Sequence, residues 1–172
     1  DEVDDALLEA MASKPNICRY LDLPLQHADP ELLRRMNRRG TGAEIRTLLK
    51  KLRARIPSVV IRTSLITGLP YEDEEAFEEL CEFLKEARIE RVGVFPFSPE
   101  EGTPAAEMEQ VPDVVKGNRF DRLLATQNAI AAEKNLPMEG QTVRVLCDGE
   151  SKGNPEVFSG RTEGGKIVFF QG

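Results

Sequence analysis

Three cysteines, a single histidine and a few adjacent carboxylates set the chemistry that this 172-residue sequence could carry. Cys18, Cys81 and Cys147 stand more than sixty residues apart, none beside another cysteine. That spacing describes neither a disulfide framework nor a metal-ligand set, and free thiols fit a cytoplasmic protein. His27 is the only histidine, and a lone imidazole at a strand end reads first as a hydrogen-bonded structural residue. Gln26 beside it donates and accepts without titrating, which suits a ligand contact better. Glu74-Glu75 and Glu100-Glu101 are adjacent in solvated segments, and adjacency alone makes no acid/base pair. Neither a Ser-His-Asp order nor a phosphate loop is present, and Gly164-Gly165 reads as an ordinary hairpin turn. No catalytic residue and no metal ligand are assigned.

These residues need elements to position them. Val3–Ala12 has apolar residues at helical spacing, and Pro15-Asn16 breaks it. Ile17–Leu25 reads as a buried strand interrupted by Pro24 and ending near Gln26. Asp29-Pro30-Glu31 predicts an N-cap with proline at the first helical position, opening a helix to about Asn37 that Gly40 and Gly42 terminate. A second helix spans Ala43–Arg55, with Ile45, Leu48, Leu49 and Leu52 on one face. The β-branched run Val59–Thr67 predicts a strand, Glu72–Ala87 an amphipathic helix, and Arg91–Phe97 a third strand. Strand, helix, strand, helix, strand implies right-handed crossovers and a parallel sheet.

The strand ends Gln26-His27, Thr67-Gly68 and Phe97-Ser98 then share one rim, where ligands meet parallel sheets. An adenine could pair with backbone beside Phe95 and Phe97 and pack on Leu65 or Ile66, and Gly68 would admit close backbone approach. The same residues also read as ordinary core strands with routine turns. Residues 99–113 form a loop, and Val114–Asn135 returns to helix. Gln141–Gly149, Val157–Thr162 and Lys166–Phe170 read as short antiparallel strands, the start of a small barrel too short to close.

A net charge of −7 argues against a wholesale nucleic-acid binder. The average hides an asymmetry: residues 31–62 carry ten positive charges and residues 72–90 nine carboxylates. Two solvated helix faces of opposite sign are the plainer reading, and a basic face centred on Arg38 and Arg39 that meets a polyanion is the other. No run of eighteen apolar residues predicts a membrane span. The acidic start, Asp-Glu-Val-Asp-Asp, lacks Met and a signal pattern, and it opens inside a helical pattern, as a truncated chain would.

Two segments, Tyr20-Leu-Asp-Leu-Pro-Leu-Gln-His27 and Val92-Gly-Val-Phe-Pro-Phe-Ser-Pro-Glu-Glu-Gly-Thr-Pro104, resemble the late barrel strands of radical S-adenosylmethionine (SAM) methylthiotransferases. Ser64-Leu-Ile-Thr-Gly-Leu-Pro-Tyr-Glu72 is similar to that family's strand-five pattern, with Tyr71 in place of the usual glycine. The resemblance implies an α/β fold: the C-terminal part of a radical SAM, partial TIM-like parallel barrel over residues 1–113, a connecting helix over 114–138, and a truncated TRAM-like small β-barrel over 139–172. It implies that Gln26, Ser64, Ile66, Gly68, Phe95 and Phe97 wall the SAM site, with Glu72 bracing the turn. His27, Arg144, Lys152 and Arg161 would meet RNA or another substrate.

The family uses cluster-bound SAM to form a 5′-deoxyadenosyl radical, which abstracts hydrogen before a methylthio group is inserted. Its C-x-x-x-C-x-x-C ligands to a 4Fe-4S cluster, its N-terminal cluster domain and its first barrel half have no counterpart here. The isolated chain is therefore expected to be inactive. The barrel segments resemble the branch that modifies an aspartate of a small-subunit ribosomal protein. Arg119–Asn128, Glu133–Pro137, Ser151–Pro155 and Ser159–Thr162 resemble the branch that modifies a tRNA adenosine. The barrel would hold the reacting centre, so the ribosomal-protein branch is the leading expectation. A tRNA enzyme fragment and a non-catalytic RNA- or ribosome-binding module are the alternatives.

Overall fold

The computed structural model describes residues 3–172, so the Asp1-Glu2 start of the acidic segment lies outside it. Local signals place most elements. In α1 (Asp5–Ser13) the cap is Asp4, whose carboxylate accepts from the Leu7 amide at 2.8 Å. In α2 (Pro30–Arg35) Asp29 caps the Leu32 amide at 2.8 Å and Pro30 opens the helix, as expected. Gly42, expected to end that helix, instead begins α3 (Gly42–Arg55) behind a Thr41/Glu44 capping box. A Cβ at position 42 would strike the Ala28 carbonyl, so α3 starts where only glycine lets it approach the loop after the first strand.

The strands β1 (Tyr20–Asp22), β2 (Val60–Thr67) and β3 (Arg91–Pro96) form a parallel sheet in the order β1-β2-β3. The strand expected over Ile17–Leu25 contracts to three residues. Pro24 has no N–H to contribute, and the Leu25 amide turns back onto the Leu23 carbonyl at 2.8 Å. Pairing resumes at Gln26, which bridges to Leu65.

Along β2 burial alternates strictly. Ile61, Thr63, Leu65 and Thr67 are buried on the face that packs into the core, with Leu49, Leu52 and Ile56 of α3 and its C-cap, and Phe77, Leu80, Phe83 and Leu84 of α4 (Glu74–Ala87). Each fully buried Leu or Phe contributes about 1.5–3 kcal/mol, so this face holds the sheet. The opposite face, Val60, Arg62, Ser64 and Ile66, is only half-buried. The long helix α5 (Asp113–Asn135) adds Leu123 and Ile130 to the same core.

The oppositely charged stretches meet each other. Arg46 of α3 pairs with Glu79 and Glu86 of α4 at 3.0 and 2.6 Å, and Arg53 pairs with Glu90 at 3.4 Å. Much of the basic face is thus matched within the chain.

The strands β4 (Val145–Ser151), β5 (Asn154–Thr162) and β6 (Ile167–Phe170) form a separate antiparallel sheet in the order β4-β5-β6. Its Gly164-Gly165 turn rests against the start of the parallel sheet: Gly164 lies over Val60, and Arg91 Nη1 donates to the Gly165 carbonyl at 2.8 Å. That hairpin turn is a docking point as well as a connection.

Candidate functional site

The open sheet face gathers three of the expected cofactor residues, Ser64, Ile66 and Phe95, with the backbone of a fourth, Gln26, beside them. Ser64 pairs in register with Gly93, and Ile66 with Phe95, so these side chains share one face. The Gln26 amide donates to the Ser64 carbonyl at 2.9 Å, and the Ile66 amide donates to the Gln26 carbonyl at 2.8 Å. Gln26 adopts φ +71 to make this junction. Gly93 lacks the Cβ that would press into the Phe95 ring, so that ring lies along the strand beside Ser64. Phe95 is 51% exposed while Ser64 and Ile66 are half-buried, leaving an apolar surface edged by one hydroxyl. β3 is also an edge strand among the described residues, so part of its backbone faces away from β2.

Gly68 and Phe97 lie farther along the same rim, where the Phe97 amide donates to the Thr67 carbonyl at 2.8 Å. Gly68 is buried at φ +77, a conformation that suits glycine. The group that approaches it is the chain's own: a Cβ there would collide with Cγ of Lys116. The room attributed to a ligand at this position is taken by the lysine stem, which also brings its Nζ to 5.6 Å from the Phe97 ring centroid. Nothing in the local sequence around Lys116 set it apart from a surface charge on α5.

Behind the rim, Glu72 is buried and heavily hydrogen-bonded. Its carboxylate accepts from the Thr67 hydroxyl at 2.9 Å, the Gly68 amide at 2.6 Å, the Leu69 amide at 3.2 Å and Arg119 Nη1 at 3.2 Å. Burial pushes the Glu72 carboxyl up, against the downward pull of those donors. This is the bracing role that the family resemblance implies. Arg119, from α5, was not among the expected site residues.

His27 requires a correction. It is fully buried, so it offers no surface to a macromolecule, and its role is internal. Nδ1 accepts from the Asp29 amide at 3.0 Å, and Nε2 faces Glu72 Oε2 at 3.9 Å, beyond hydrogen-bond length. Burial above all, with the Arg119 charge adding to it, lowers the imidazole pKa to about 4, against a smaller upward pull from Asp29. The ring is therefore neutral near pH 7, with its proton on Nε2.

The other expected contacts lie elsewhere. Arg144 pairs with Glu163 and Arg161 with Asp148, all exposed, and Lys152 is exposed where β4 turns into β5. The small sheet docks at the starts of β2 and β3, roughly 20 Å along the strands from the rim. Cys18 and Cys147 are exposed and Cys81 is buried, its thiol pushed up to about 11 chiefly by burial. Among the described residues no group of three or more His, Cys, Asp or Glu could hold a metal ion. The residues present therefore do not fit a 4Fe-4S cluster. Among the described residues no helix is long and apolar enough to cross a membrane.

Comparison with known proteins adds two domain matches: residues 1–84 match the radical SAM superfamily and residues 137–172 the TRAM domain. The chain is 51% identical over 161 residues to the ribosomal protein uS12 methylthiotransferase RimO of Anaeromyxobacter sp. (strain Fw109-5), covering 93% of this chain and 34% of that protein. It is 46% identical over 177 residues to the protein of the same name from Pelotomaculum thermopropionicum, covering 99% of this chain and 40% of that one. The chain thus spans between 34% and 40% of the length of these relatives.

Proposed function

We propose that the chain is part of a radical SAM methylthiotransferase, as its domain matches and its similarity to two uS12 methylthiotransferases support, and that it supplies the SAM-facing wall and a substrate-binding part of an enzyme that inserts a methylthio group into an aspartate of a small-subunit ribosomal protein. The observation that carries the reading is the open face on which Ser64, Ile66 and Phe95 lie in register beside Gln26. That face fits SAM. Ile66 and Phe95 offer apolar area to an adenine, the edge of β3 offers backbone groups, and Ser64 and Gln26 offer polar contacts. Bound SAM would supply the hydrogen-abstracting 5′-deoxyadenosyl group once an electron from a cluster held by residues other than these cleaves it. This chain's residues bind and orient it, and Glu72 holds the Thr67-Leu69 turn that ends the wall.

The finer architecture is part of the same proposal. Residues 1–113 would form the second half of a radical SAM barrel, 114–138 a connecting helix and 139–172 a TRAM-like β-domain. Arg144, Lys152 and Arg161 would meet the substrate macromolecule, and their exposure supports that role. For the substrate, support comes from the Pelotomaculum relative, a uS12 methylthiotransferase whose match covers 99% of the chain. The segments resembling the tRNA branch therefore align within a ribosomal-protein enzyme. A cytoplasmic location follows from that substrate.

The test is a chimera in which this chain replaces the matching part of the Pelotomaculum relative, with the clusters reconstituted. Mass spectrometry should find methylthioaspartate on uS12, and Ile66→Asp should abolish SAM binding. Methylthiolation of tRNA alone would overturn the substrate. A folded chimera that binds no SAM would overturn the site.

A further inference from the structure

Lys116 is buried, 6% exposed, yet its charge is not used by the fold. The stem packs over Gly68, and the ammonium lies over the Phe97 ring at 5.6 Å. Its nearest carboxylate, Asp113, stands 3.9 Å away and fully exposed, too far for a hydrogen bond. The neighbouring charges are otherwise occupied. Glu72 is held by Thr67, Gly68, Leu69 and Arg119, while Arg119 also bonds the Glu72 carbonyl and Glu74. His27 is neutral.

Fixing a lysine costs side-chain entropy, and a cation over an aromatic face returns part of that cost. The balance leaves a pre-positioned ammonium at the end of the strands, beside Phe97 and just past the Ser64–Ile66–Phe95 face.

We propose that Lys116 receives a carboxylate at this rim. The inference rests on the methylthiotransferase reading, which brings two carboxylates to the site: that of the methionine half of SAM and that of the substrate aspartate. An ammonium with no hydrogen-bonded partner gains a charge-assisted bond from either. Lys116 is then a positioning residue that selects an anionic ligand group.

The test uses the 172-residue chain and Lys116→Met, which keeps the stem over Gly68 and Phe97 and removes the charge. Affinities are measured for SAM, for SAM lacking its carboxylate, and for a short aspartate peptide and its asparagine twin. Weakening of about tenfold or more for SAM alone assigns the carboxylate to the cofactor. The same loss for the aspartate peptide alone assigns it to the substrate. A folded variant with unchanged affinities overturns the inference and leaves the SAM-facing wall standing. If the unsubstituted chain binds none of the four, both readings fall. Should the variant not fold, the Lys116 Cε resonance of the unsubstituted chain decides. It should move with a carboxylate-bearing ligand and not with its carboxylate-free twin, and no movement with either overturns the inference.

Discussion

Arg119 of α5 holds Glu72 from 47 residues away: its Nη1 lies 2.8 Å from the Glu72 carbonyl oxygen and 3.2 Å from Oε1. One end of the pair is the turn that closes β2, and the other is a helix from beyond the 99–113 loop. The contact ties the connecting helix to the rim. Removing one partner of a buried pair costs about 3–5 kcal/mol, because the other charge stays buried. Glu72→Ala should cost that much, since Thr67, Gly68 and Leu69 lose their acceptor as well. Arg119→Met should cost less, because Glu72 keeps three donors. Urea midpoints of the two variants check this order, and equal losses would contradict it.

His27 makes stability depend on pH. The unfolded imidazole takes up a proton below about 6.5, while the folded one resists until about 4. Its contribution is therefore complete above pH 6.5 and is lost as pH falls toward 4, about 3 kcal/mol across the window. Glu72, whose carboxyl is raised, acts in the opposite direction: its contribution is present at low pH and is lost as pH rises through the folded value. Comparison with His27→Gln isolates the imidazole. The native chain should lose stability relative to this variant between pH 6.5 and 4, and parallel curves would rule the imidazole out.

Local chemistry made much of this legible in the sequence. Asp29-Pro30 marked a helix start, and the β-branched run at 59–67 marked the central strand, because caps and strand pattern act within a few residues. The same local reasoning misplaced Gly42, since the Thr41/Glu44 box that begins α3 outweighs glycine's tendency to end a helix. Nothing in the local sequence singles out Lys116 and Arg119 on α5. Their burial depends on how that helix crosses the rim, a tertiary fact with no local signature. His27 read from its own residue type as a hydrogen-bonded structural group, and that is how the fold uses it; the macromolecule contact came only from the family resemblance and fails because the side chain is buried.

Tyr71 occupies the position where the family pattern has glycine, and it keeps the turn by adopting φ +68. That conformation costs a non-glycine residue about 1–2 kcal/mol. Arg35 stacks on the exposed ring, its guanidinium carbon 4.1 Å from the centroid, which returns about 0.5–1 kcal/mol at such a site. Tyr71→Gly should therefore raise stability only slightly in the native chain. In an Arg35→Ala background the gain should rise to about 1 kcal/mol. A double-mutant cycle by urea denaturation measures both, and a clear loss in the second background would show that the backbone is not strained.

Arg91 is the clearest tie between the two sheets. Its Nη1 donates to the carbonyl oxygens of Gly165 at 2.8 Å and Gly164 at 3.4 Å, and hydrogen bonds from a charged donor are worth about 1.5–3 kcal/mol. The hydrophobic core lies on the other face of the parallel sheet, so Arg91→Ala should leave its unfolding midpoint nearly unchanged. What changes is the docking equilibrium. Residues 139–144 are already exposed, but docking fixes their backbone, and an undocked small sheet frees them to adopt the extended form a protease binds, so trypsin cleavage after Arg144 should accelerate about tenfold, the counterpart of the lower bound of that energy. An unchanged rate with an intact fold would mean that packing of Gly164 on Val60 holds the sheet without the guanidinium. A faster rate together with a lower midpoint would mean that the docked sheet stabilises the core it rests against.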